Sequence, residues 1–187
     1  NSYLVHPFVQ PPAMPVPPAD VLPEQQARLL IDQKLADAGW ILQNRKQFNL
    51  SAGVGVAVRE FQTDSGPADY LLFVERVPVG VVEAKKEGTV LTPVEEQTAK
   101  YATSRLRWKQ DGQPLPFLYE STGVETHFTD LRDPAPRARE VFHFHRPETF
   151  RDWLRAPQTL RRGLQQFPAL DPTGLRECQV TAIRNLE

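Results

Sequence analysis

Hydrophobic positions change period several times along the chain, and each change marks an element. From Pro23, the residues Leu29, Leu30, Ile31, Leu35 and Ala38 recur at helical spacing and stop at Gly39, which predicts a helix closed by a glycine. Val54, Val56 and Val58 then alternate with Gly55, Ala57 and Arg59, the period-two pattern of a strand running to about Phe61. Asp64-Ser65-Gly66-Pro67 reads as a turn. Tyr70 to Val74 and Val79 to Ala84 are two β-rich runs, a hairpin predicted to turn through Glu75-Arg76-Val77-Pro78. Pro93 to Lys109 predicts a second helix, with Gly112 after it. Pro116 to Ser121 and Glu125 to Phe128 give two short strands about Thr122-Gly123. Shorter helical pieces follow Asp133, with Pro147 and Pro157 each placed to open one, and Leu175, Val180, Ile183 and Leu186 predict a last amphipathic helix over 175–187. The order predicts an α/β fold with a mixed sheet.

Composition narrows the function classes. The chain has 187 residues, enough for one ordinary domain with appendages. Its 22 basic and 23 acidic residues leave a net charge of -1, so nucleic-acid binding would need a local patch, not a bulk positive field. No apolar run approaches the roughly 20 residues of a membrane helix, and no membrane partner is expected. Cys178 stands alone, which excludes an intramolecular disulfide and fits a reducing cytoplasm. Seven of the 18 prolines fall in the first 23 residues, without the charged and apolar regions of a signal peptide. Residues 1–22 are therefore read as an extended arm. The final helix runs into the terminus uncapped, the pattern of a chain cut from something longer.

The candidate chemistry sits on the hairpin. If it turns about Arg76, positions summing to about 152 face each other, and Asp69 lands opposite Glu83. Glu83 and Lys85 are two apart and share a strand face, while Val82 and Ala84 point into the core. Two carboxylates this close repel unless a cation sits between them. A hard divalent ion such as Mg²⁺ suits these oxygens, with the backbone carbonyl of Ala84 as a third ligand. A water held there beside Lys85 is placed to attack a phosphodiester. The alternative for the same residues is a solvated strand end carrying a Glu–Lys pair. His143 and His145 would share a strand face but have no further zinc ligand in view, so a structural role is expected. Ser51-Ala52-Gly53-Val54-Gly55 precedes a strand, which argues against a phosphate cradle.

Asp69 followed by Glu83-Ala84-Lys85 resembles the PD-(D/E)xK nuclease signature, with Ala68 in place of its proline. The stretch from Arg59 through Gly66-Pro67-Ala68-Asp69-Tyr70 to Lys86 is similar to the nuclease domain of the restriction (R) subunit of type I restriction–modification enzymes. So are Tyr119-Glu120-Ser121-Thr122-Gly123-Val124-Glu125-Thr126 and Phe144-His145-Arg146-Pro147-Glu148-Thr149. The resemblance implies a restriction-endonuclease-like core, a mixed central sheet flanked by helices, over 23–133. A helical extension over 134–173 and the start of a helicase motor over 174–187 would follow.

It further implies Mg²⁺-dependent hydrolysis of double-stranded DNA by Asp69, Glu83 and Lys85, in complex with modification (M) and specificity (S) subunits. Gln97 and Tyr101, at i and i+4, resemble the QxxxY motif that supports the site and the DNA in such families. Their helix also carries Lys100, Arg105, Arg107 and Lys109 with no acid between Gln97 and Gln110, a local positive surface suited to phosphate. Glu24 resembles an acidic residue that approaches the metal, against its plain reading as a carboxylate at a helix N-terminus. Gln179 resembles the adenine-reading glutamine of the motor. ATP would serve the full-length subunit, since no Walker A sequence is present here. The rivals are another helicase-fused nuclease of modification-dependent restriction or DNA repair, and a degenerate fold used for docking or DNA binding.

Overall fold

The computed structural model describes residues 23–63, 66–91, 115–166 and 170–185. Helix α1 (Pro23–Asp37) ends as its sequence dictates. Gly39 takes φ 90°, and the amides of Gly39 and Trp40 return to the carbonyls of Ala36 and Leu35 at 2.9 and 3.0 Å. This paired closure satisfies orphan carbonyls at the helix end and suits a residue without a Cβ.

Among the described residues the sheet has seven strands in sequence order: β1 (Ile41–Asn44), β2 (Gly55–Thr63), β3 (Gly66–Val74), β4 (Val77–Ala84), β5 (Phe117–Ser121), β6 (Thr126–Asp130) and β7 (Arg139–Glu140). The pairs β1–β2 and β4–β5 are parallel and the other neighbours antiparallel, so the sheet is mixed. The hairpin register follows the arithmetic of its sequence: Tyr70 pairs with Val82, Leu71 with Val81 and Leu72 with Gly80. Its turn is tighter than expected. Glu75 and Arg76 alone form it, with φ 48° and 71°, so Val77 and Pro78 already belong to β4. A left-handed pair matches the twist of the flanking strands. The register shift between Leu72 and Phe73 accommodates the extra step.

Helices α2 (Pro147–Arg155), α3 (Leu160–Leu164) and α4 (Glu177–Arg184) complete the described elements. Pro147 opens α2 as expected. Pro157 does not open a helix; Thr159 caps α3 instead, its hydroxyl accepting from the Arg162 amide at 3.2 Å. A threonine oxygen satisfies an orphan N–H there, which a proline ring cannot. The last helix is shorter than the expected 175–187 span. The predicted helix over 93–109 lies outside the described residues, as does the arm over 1–22. Among the described residues no helix is long and apolar enough to cross a membrane.

Each sheet face carries a core. Ile31 and Leu35 of α1 and Phe150 of α2, all fully buried, pack with Ala57, Tyr70, Leu72, Val82, Phe117 and Tyr119. Val56, Val58, Leu71, Phe73, Val81 and Leu118 line the other face, flanked by Phe48 and Leu50 from the β1–β2 connection. Helix α1 also presses on the β5–β6 turn, where a Cβ on Gly123 would stand 2.7 Å from Leu30 Cβ, and Lys34 Nζ donates to the Val124 carbonyl at 3.0 Å. That packing places the N-terminal half of α1 across the hairpin carrying the acidic residues.

Candidate active site

The hairpin brings Asp69 and Glu83 level, one step beyond the Tyr70–Val82 pair. The opposite edge of β3 is interrupted at the same point. Between the pairs Arg59–Tyr70 and Phe61–Ala68, Glu60 adopts φ 52° and is left out of the ladder. Asp69 Oδ2 accepts the Ala84 amide at 2.9 Å, which fixes the carboxylate against β4. Its Oδ1 accepts from Arg28 Nη2 at 2.5 Å. The helix that supplies Arg28 is itself held: Tyr70 Oη donates to Asp32 Oδ1 at 2.9 Å, and the Arg59 guanidinium forks onto the same carboxylate at 2.9–3.1 Å. Burial, with Asp32 beside it, raises the Tyr70 phenol far above its ordinary value, so it stays a donor.

Glu83 Oε1 lies 3.1 Å from Lys85 Nζ, and both side chains are about four-fifths buried, at 19% and 21% exposure. Sharing a face, they face one environment. The Lys85 amide donates to the Ser121 carbonyl at 2.8 Å, continuing the parallel β4–β5 ladder in which Glu83 pairs with Glu120. Burial pushes the Asp69 carboxyl above its ordinary value. The Ala84 amide and Arg28 oppose that shift, while Glu83 and Glu24 reinforce it. Glu120 is likewise raised by burial first, opposed by Lys85 and reinforced by Glu83. Three carboxylates and one ammonium thus crowd the adjoining ends of β3, β4 and β5.

The donors available to an ion are oxygens: Asp69, Glu83 and the Ala84 main-chain carbonyl. That set suits a hard divalent cation that keeps several waters. Among the described residues no group of three or more Asp, Glu, His or Cys side chains is placed to hold a metal ion. Glu24 is half-exposed and reaches Arg28 Nη2 at 3.4 Å, so it joins this group through the guanidinium. Gln97, Lys100, Tyr101, Arg105 and Arg107 lie outside the described residues. Gln179 is exposed on α4, where its side-chain oxygen accepts the Arg176 amide at 2.9 Å. His145 has structural partners: its Nδ1 lies 2.6 Å from Tyr119 Oη, and its ring packs on Phe128 and Trp153. His143 is exposed.

Sequence reasoning gave no role to two residues that the fold adds. Arg28 was detectable only as an i+4 partner of Glu24 inside an otherwise ordinary helix. Glu120 required the parallel β4–β5 register, which no hairpin arithmetic supplies. Its Oε2 is buried with no hydrogen-bond partner among the described residues. Substituting Glu120→Gln removes a charge that burial disfavours, so it is expected to raise the melting temperature of the metal-free protein at pH 7 by up to a few degrees, the effect being reduced by solvent screening and by the lost attraction to Lys85. The sign follows from the raised carboxyl. Ionised Glu120 costs stability at neutral pH, whereas below the ordinary glutamate range the group is protonated in both folded and unfolded chains and the gain should vanish. Thermal melts of both proteins at pH 7 and pH 4 measure it; a gain that persists at acid pH contradicts this cause.

Residues 40–121, spanning β1 to β5, match the family described as type I restriction enzyme EcoKI endonuclease subunit second domain. The type I restriction enzyme EcoKI endonuclease subunit of Escherichia coli (strain K12) is 28% identical over 221 aligned residues, covering 89% of this chain. This chain is related to the type I restriction endonuclease subunits. It spans 19% of the length of that relative. Within the type I match lie Asp69, Glu83, Ala84, Lys85, Gln97, Tyr101 and Glu120, while Glu24 and Arg28 precede it. No solved structure matches the chain.

Proposed function

We propose that this chain is the Mg²⁺-dependent DNA endonuclease domain of a type I restriction enzyme, with a PD-(D/E)xK core. The observation that carries the reading is the convergence of Asp69, Glu83 and Lys85 at adjoining strand ends inside the segment that matches the EcoKI family. Asp69 and Glu83 hold the ion with the Ala84 carbonyl, and the Ala84 amide keeps Asp69 turned toward β4. When bound, the ion lowers the pKa of a water and balances charge on the phosphate. Lys85 orients the attacking water through its ammonium, a strongly hydrated point charge with three donors. Glu83, 3.1 Å from the ammonium, holds Lys85 in place. Gln97 and Tyr101 position the site or the DNA, and Lys100, Arg105 and Arg107 meet its phosphates.

Double-stranded DNA is the substrate, and M and S subunits supply sequence recognition in the cytoplasm. ATP-driven translocation belongs to the rest of the subunit, to which Gln179 would contribute an adenine contact. The DNA cut is thus that of foreign molecules lacking the host modification. The test is cleavage of unmodified plasmid by the full-length subunit assembled with M and S subunits. Cutting in Mg²⁺, none in EDTA and none by Asp69→Asn is expected. Cutting that needs no M or S subunit would favour another helicase-fused nuclease, and binding without cutting would favour a docking domain.

A further inference from the structure

Arg28 binds carboxylates from three elements: Glu24 of α1 at 3.4 Å, Glu60 of β2 at 3.3 Å and Asp69 of β3 at 2.5 Å. These contacts are unequal. Glu24 and Glu60 are 51% and 70% exposed and meet the guanidinium at long range, whereas Asp69 is 15% exposed. Exposed pairs of that kind contribute little, so the contact with Asp69 dominates. The fork is also incompletely used, because Arg28 Nε is buried with no partner among the described residues. A guanidinium held for structure alone normally spends its donors on carboxylates or carbonyls. Asp69, meanwhile, does not depend on Arg28 for its aim, since its other oxygen already takes the Ala84 amide. The Arg28 contact can therefore be broken without turning Asp69 away from Glu83.

From this we infer that Arg28 is a positioning residue that occupies Asp69 Oδ1 in the metal-free site and yields it to the incoming ion, so that Arg28 weakens and thereby sets metal affinity. The inference rests on Asp69 being a ligand. One carboxylate neutralised by a guanidinium attracts a divalent ion less than a free one, and the displaced cation must be rehoused on Glu24 and Glu60. The exposure of those two glutamates gives the side chain room to move toward them.

The probe is Mn²⁺ alone, without DNA, titrated into the 187-residue chain and followed by electron paramagnetic resonance of the free ion. Arg28→Met keeps much of the apolar stem and removes the charge; it should bind Mn²⁺ about tenfold more tightly. Arg28→Lys keeps a cation and should stay within about twofold of the unaltered protein. Loss of a merely structural residue would weaken binding, so unchanged or weaker binding by Arg28→Met overturns the inference. Asp69→Asn separates the two claims: if it binds Mn²⁺ as well as the unaltered protein, the metal-site reading itself fails. A measurement on the unaltered chain needs no variant. Saturating Mg²⁺ should shift the Arg28 Nε–H resonance, and a resonance that does not move counts against displacement.

Discussion

Lys85→Ala in the full-length subunit is expected to lower DNA cutting by on the order of 10²–10⁴-fold while leaving DNA-stimulated ATP hydrolysis within a few-fold. The Lys85 side chain is about four-fifths buried and its ammonium lies 3.1 Å from Glu83. Sheltering a strongly hydrated cation beside a carboxylate makes sense where a polar reactant will share the space. An exposed Glu–Lys pair would be worth about 0–1 kcal/mol, and its loss would scarcely register in cleavage. The two activities separate because no Walker A sequence occurs within these 187 residues. Both should be measured on one purified variant. Cleavage within a few-fold of the unaltered enzyme would remove Lys85 from the catalytic group, and joint loss of ATPase would point to misfolding.

Phe150→Ala should produce the largest loss of stability, about 3–5 kcal/mol, or on the order of 10 °C in melting temperature. Phe150 is fully buried, and its ring stacks on Phe117 at 4.0 Å between centroids and 11° between planes. Trp40 meets it edge-on at 5.9 Å, with Phe128 and Trp153 at 5.9 and 5.8 Å. Truncation leaves a cavity among large rings that cannot all move inward. The Phe117 ring also carries Arg132 above it, 4.7 Å from its centroid, so the damage would spread beyond the stack. Phe142, 87% exposed, is the control: its alanine variant should change stability by no more than about 0.5 kcal/mol. Calorimetry on both variants decides. A loss below about 1 kcal/mol at Phe150 would mean that α2 is not part of the sheet's core.

Much of this fold was legible because its central hairpin alternates on either side of a single register shift. Leu71, Phe73 and Val81 face one core while Tyr70, Leu72 and Val82 face the other, and a slip by one residue would reverse both sets. The same constraint sets Asp69 and Glu83 one step beyond the Tyr70–Val82 pair. Strand β1 was not readable, since Ile41-Leu42-Gln43-Asn44 is four residues long, half-exposed and without alternation. Among the described residues it pairs along β2, and partners far along the chain leave no local pattern. Two-residue β7 falls below any periodic signal. Pro157 misled because proline favours a helix start only where the next residues continue the helix, and here Thr159 supplies the cap. Glu120 escaped for a different reason. A parallel crossover between β4 and β5 fixes no register in advance, so its position beside Glu83 emerges only from the assembled sheet.

The central claim is that Asp69 and Glu83 share one divalent ion beside Lys85. Anomalous scattering from Mn²⁺ in crystals of the protein tests it most directly. The account predicts a single peak between the two carboxylates, with one oxygen of each within about 2.1–2.3 Å and the Lys85 ammonium outside the coordination shell. A peak elsewhere, or Asp69 and Glu83 oxygens more than about 6 Å apart around a bound ion, would contradict it.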